Sequence, residues 1–172
     1  MAVFTIGGRK ALAQVLLDMN LFLAVGVGNP DWDNEASPST PEEVALQDAQ
    51  WATLTDLENK VGITRIRDKF FVKPDVSGEI PMSDGSLYAP SDDPTPYVYL
   101  RYQLDLGDAS GITLRECGLY LGTQIDASVP VGQMFVPSEG VTNYGSLVQI
   151  DRFPAVVRDG SISQIFSTIL TM

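Results

Sequence analysis

The sequence predicts a mainly β fold, an antiparallel sandwich-like body with one or two short α-helices near the amino terminus and long irregular loops. Three observations carry this. Ile112–Gly122, ITLRECGLYLG, nearly alternates apolar and polar residues and then runs through Leu119, Tyr120 and Leu121, a pattern for a buried or half-buried strand. Tyr97–Leu106 sets Tyr97, Tyr99, Arg101, Gln103 and Asp105 against Val98, Leu100, Tyr102, Leu104 and Leu106, so the second face is the buried one. With 15 Gly, 11 Pro and only 19% charged residues, the composition favours strands joined by turns over charged helix surfaces.

Taken in order, Gly7–Asn20 places Leu12, Val15, Leu16 and Met19 at helical spacing, with Ala11 and Ala13 as good helix formers. This amphipathic helix either packs on its own sheet or docks in a neighbouring subunit, which makes Leu12 and Leu16 candidate interaction residues. Leu21–Val27 is a continuous apolar strand ended by Gly28-Asn29-Pro30. Residues 29–41, NPDWDNEASPSTP, are too rich in proline and acid for an interior strand and form a loop or extended arm. Trp32 in that arm is either tucked onto the body or an anchor in another subunit. Asp31, Asp33, Asn34 and Glu35 have a superficial calcium-loop look, but Ala36 stands where the turn needs glycine.

Thr40-Pro41-Glu42-Glu43 reads as an N-cap, a proline at the first helical position and acids in the first turn, opening a short helix to about Trp51. Leu54, Leu57 and Val61 continue a loose apolar stripe, and Ile63–Lys73 is a strand with one wet face, stopped by Pro74. The second irregular region, residues 75–96, carries Asp84-Gly85 as a hairpin tip between 80–82 and 87–88. Gly107–Gly111 has the length and composition of a hairpin connection, so the strands on either side of it are expected to be antiparallel neighbours. Strands near 133–136 and 147–153 follow, the former expected beside Ile112–Gly122, and the closing strand at 162–171 has apolar residues on both faces. Such a strand is covered twice or pairs with another chain, marking Ile165 and Ile169.

A chain of 172 residues reads as a single β-rich domain, 1–172, with arm or loop segments at about 29–41 and 75–96; about 70% of its unfolded surface is available for burial at this size. The balance of 11 basic and 22 acidic residues, net −11, lacks the cationic footprint that DNA or an anionic membrane requires. No basic-then-apolar leader and no apolar run of about 18 residues predicts membrane insertion.

With no His and one Cys, the usual nucleophile and base pairings and a zinc site have no side chains to build them; no catalytic residue, metal or cofactor is expected. Cys117 is read as a small buried hydrophobe. Glu116, a charge in an apolar strand, needs a partner, for which Arg101 is the candidate.

Arg115-Glu116-Cys117-Gly118-Leu119-Tyr120 resembles the R-E-x-G-L-Y/F segment of tail-fibre and tail-collar-like structural proteins of tailed bacteriophages. Phe22–Gly28, Leu57–Arg65 and Phe153–Arg158 fit the same picture, so short matching pieces are spread over most of the chain. The resemblance implies a tail or baseplate component, made in the host cytoplasm and carried in the virion, a homo-oligomer with other tail or baseplate proteins as partners. Lacking a long repetitive shaft, the chain is expected to be a connector or attachment subunit at the baseplate or tail-fibre root. A collar or neck protein is the alternative location. A host-surface carbohydrate-binding module, with Trp32, Tyr97 and Tyr99 stacking on sugars, is the alternative class.

Overall fold

The computed structural model describes residues 1–82 and 84–172. Its architecture is mainly antiparallel sheet, with 42% of residues in strands and 19% helical, in agreement with the expected β-rich class. The chain divides into two compact units, one of Met1–Asn20, Ile66–Gln103 and Gln164–Met172, the other of Leu21–Arg65 and Leu104–Ser163.

In chain order, helix α1 (Ile6–Asp18) is capped by Thr5, whose hydroxyl accepts from Gly8 N. Strand β1 (Leu21–Gly26) is buried throughout. A 3-10 turn at Pro30–Asn34 leads to α2 (Pro41–Trp51), where Thr40 and Glu43 form a reciprocal capping box. Then come β2 (Lys60–Pro74), β3 (Ile80–Pro81), β4 (Leu87–Pro90), β5 (Tyr97–Leu104), β6 (Thr113–Leu121), β7 (Gln124–Ile125), β8 (Phe135–Pro137), β9 (Val141–Asn143), β10 (Ser146–Val157) and β11 (Gln164–Thr171).

The larger unit is organised around β6, which lies between β1 and β10, both antiparallel; β1 pairs in turn with the first part of β2, and β2 with β8. Glu116 through Tyr120 are buried in succession, because both faces of β6 are covered. One side holds a cluster of Phe22, Ala24, Leu57, Ile63, Tyr120 and Val136. β10 is the last strand in this order and, among the described residues, its outer edge carries no further strand. Its register with β6 slips between Leu147 and Gln149 and again between Arg152 and Val156, the second bulge containing Pro154.

In the smaller unit the later part of β2 pairs with β4 and β5, β3 with β4, and β11 with β5. β5 shows the strict alternation expected of it, with Val98, Leu100 and Tyr102 buried, and Asp84-Gly85 forms the β3–β4 turn, Gly85 at φ 82°. Ala13, Phe71, Val72 and Leu170 complete this core.

Two expected neighbour relations do not occur. β5 is flanked by β2 and β11, and β6 by β1 and β10, so the two strongest strands are not paired with each other; β8, expected beside β6, lies on β2. The connection after β5 is not a hairpin loop. Arg158 closes it, donating from Nη2 to Asp105 O (2.6 Å) and Asp108 O, and from Nη1 to Ile162 O (2.8 Å), while Gly111 N donates to Arg158 O. At 1% exposure Arg158 is a structural staple made from a charged residue.

Candidate functional site

The motif on β6 fastens several segments of the larger unit to one another. Each of its side chains has a separate task, set by the strand's alternation. Arg115 reaches the arm, where Nε and Nη2 each donate to the Asp33 carboxylate at 2.8 and 2.7 Å, a two-point clamp that holds the Asp33 carboxyl below the usual carboxylate range. Glu116 faces the other way and is fully buried; its Oε1 accepts from Glu58 N and Asn59 N, both at 3.0 Å. Its partner is therefore the backbone entering β2. Arg101, expected in that role, instead pairs with Asp68 at 2.8 Å.

Gly118 has no room for a side chain. A Cβ there would stand 2.6 Å from Leu147 Cδ1, 3.1 Å from Gln149 O and 3.2 Å from Leu57 Cδ2. Tyr120 donates its hydroxyl to Asp56 and accepts from Leu57 N at 3.0 Å; burial, then the bond to Asp56, pushes the phenol far up. Asp56 also takes Lys60, whose ammonium lies 4.5 Å from the Tyr144 ring centre. Burial raises the Asp56 carboxyl, but the bonds from Lys60 and Tyr120 outweigh it and hold it low. Cys117 is buried and its thiol is pushed up chiefly by that burial, consistent with a packing residue.

The Arg115–Asp33 clamp fixes the arm beside an open groove of about 420 Å³, lined by Trp32, Asp33 and Glu35–Pro38 of the arm, by Gln47 and Trp51 of α2, and by Arg152–Ala155 of the β10 bulge. The Arg152 guanidinium lies 4.0 Å from the Trp32 ring centre and 5.6 Å from that of Trp51, and its buried Nε has no hydrogen-bond partner. A second hollow of about 270 Å³ lies on the other side of Trp51, between Asp48, Leu54 and Val148. Trp32 is half-buried, under the Arg152 guanidinium, and lines the groove.

The other candidates, Leu12, Leu16, Tyr97, Tyr99, Ile165 and Ile169, lie in the smaller unit. On α1, Ala13 is the buried residue, whereas Leu16 is half-buried and Leu12 and Val15 are 48% and 46% exposed. The stripe read from the sequence is displaced by one position, and much of it faces outward. Tyr97 and Tyr99 are half-buried, their rings 5.8 Å from Tyr88 and 5.0 Å from Phe70, so both already have aromatic neighbours. Ile165 is 49% exposed and Ile169 half-buried on β11. Sequence reasoning missed Asp33, Asp56, Trp51, Arg152 and Arg158. Arg158 had a signal, as the final residue of one of the four resembling segments, and all four of those segments fall within the larger unit.

A β scaffold whose distinctive charged residues are engaged in fastening its own loops has the make-up of a structural component. The particular family follows from the whole chain: residues 1–172 match the family model described as baseplate wedge 3 tail fiber network component, and the chain belongs to that family. It is a structural protein of the phage tail baseplate. No curated protein gives a significant sequence match. Among the described residues no helix is long and apolar enough to cross a membrane.

Proposed function

We propose that this chain is a connector, an attachment subunit at the baseplate or tail-fibre root that works as a homo-oligomer and joins other tail proteins without turning over a substrate. The observation that supports this most is the engagement of Arg115, Glu116 and Tyr120, each of which immobilises a loop or arm of its own unit. Ordering these segments before assembly lowers the entropy cost of docking a partner on them. The partners are other baseplate or tail-fibre proteins and further copies of the chain, not nucleic acid or an anionic membrane surface, whose negative charge the net −11 of the chain repels.

The test is genetic and structural. Phage lacking the chain should yield tails that fail to retain their fibre network, and mass spectrometry of purified wild-type tails should recover the chain at fixed stoichiometry. Its absence from intact tails would refute the reading. So would release of product from a defined molecule, lost on replacing one carboxylate in a protein that still folds.

A further inference from the structure

The net charge is divided unequally between the two units. The smaller unit holds six Lys or Arg against seven Asp or Glu, the larger five against 15. The contrast sharpens locally. Residues 1–17 include Arg9 and Lys10 and no acid, whereas residues 29–59, which supply the arm and α2, include eight acids and no Lys or Arg. The groove between arm, α2 and the β10 bulge is walled by Trp32, Trp51, Pro38 and Phe153; its charged lining is Glu35, Asp33 clamped by Arg115, and Arg152 stacked on the two tryptophans, and Asp48 lines the adjoining hollow. Its volume of about 420 Å³ is within the ~300–1,000 Å³ range of clefts that take a drug-sized ligand, room enough for a few side chains.

The amino-terminal segment has the complementary properties. Residues 1–5 precede α1 without regular structure, Val3 is 80% exposed, Phe4 and Ile6 are exposed, and Lys10 follows on the first turns of the helix. Exposed apolar side chains grouped this closely mark a contact surface. We infer that the Met1–Lys10 segment of one copy seats in the tryptophan-walled groove of a neighbouring copy, Val3 and Phe4 beside the Trp32 and Trp51 rings on which Arg152 stacks, and Lys10 towards Glu35 of the acidic arm and Asp48 of α2. The contact is heterologous, one surface meeting a different one, so repetition yields a ring or an open row instead of a closed pair. It rests on the connector reading and specifies how the copies meet.

Sedimentation velocity on the full-length chain tests it with two variants at exposed positions, Val3→Glu/Lys10→Glu in the segment and Glu35→Lys/Asp48→Lys at the groove. The wild type should associate with rising concentration and dissociate with rising salt. Each variant alone should associate at least ~10-fold more weakly, with an unchanged circular dichroism spectrum. An equimolar mixture should recover association, because it restores native segment to native groove and adds the reversed pair. A wild type that stays monomeric, variants that associate like wild type, or a mixture that does not recover would each overturn the inference. If the chain is present in purified tails while any of these results holds, the connector reading survives and this contact does not.

Discussion

Replacing Glu116 tests whether the β6 motif serves as a fastener. In Glu116→Ala, the N–H groups of Glu58 and Asn59 lose their acceptor. Each partly buried donor left unpaired costs about 1.5 kcal/mol, within the usual 1–3. The void left by a side chain with 0% exposure adds roughly 1 kcal/mol more. The total, about 4 kcal/mol, is a large share of the ~5–15 kcal/mol that holds a domain folded. Glu116→Gln keeps an oxygen where Oε1 sits but removes the charge and places an NH2 where Oε2 has no partner, so it should cost about 1–2 kcal/mol. Urea titration at constant slope gives both values, and hydrogen exchange at the Glu58 and Asn59 amides should accelerate more in the alanine variant. Equal losses for Ala and Gln, or an Ala loss under about 0.5 kcal/mol, would refute the assignment.

Arg158→Lys preserves the charge but not the planar fork that reaches Asp105 O, Asp108 O and Ile162 O, and should lower stability by about 2–3 kcal/mol in the same titration. Gly118→Ala should cost about 1–3 kcal/mol, since the new methyl meets Leu147, Leu57 and the carbonyl of Gln149; a neutral result would mean β10 is free to shift. The Asp33 carboxyl is lowered by Arg115, so the clamp on the arm contributes fully above the unfolded value near 3.9 and is lost as pH falls through the lower folded value. Limited proteolysis should therefore leave residues 30–38 protected at pH 5, whereas Arg115→Ala should expose them at pH 7; equal protection in both proteins would discount the clamp.

What the sequence made legible was local. β5 was readable because one buried and one wetter face impose strict alternation, and α2 because Thr40, Pro41 and the following acids describe a helix start without reference to the rest of the chain. Pairing was not readable in the same way. Five turn-forming residues between β5 and β6 satisfy the rule for a hairpin, but the rule has no knowledge of Arg158, distant in sequence, which turns that connection into a wrapped loop. The partner of Glu116 was misassigned for a related reason: backbone N–H groups can satisfy a carboxylate, and they leave no mark in the residue types of 58 and 59. The groove was hidden because it needs Trp32, Trp51 and Arg152, which only tertiary structure brings within ring-stacking distance.

The slip in β10 that carries Pro154 bears on how far assembly can propagate. A phage tail crowds many identical chains together, and an uninterrupted flat margin on each would let them zip into filaments with no natural stopping point. Here a ring nitrogen that has no hydrogen to give, set on a backbone pushed out of line, limits any straight run along that margin to the residues before it. If copies of the chain meet as proposed, they do so through shaped side-chain surfaces, which count their neighbours in a way that bare peptide groups do not.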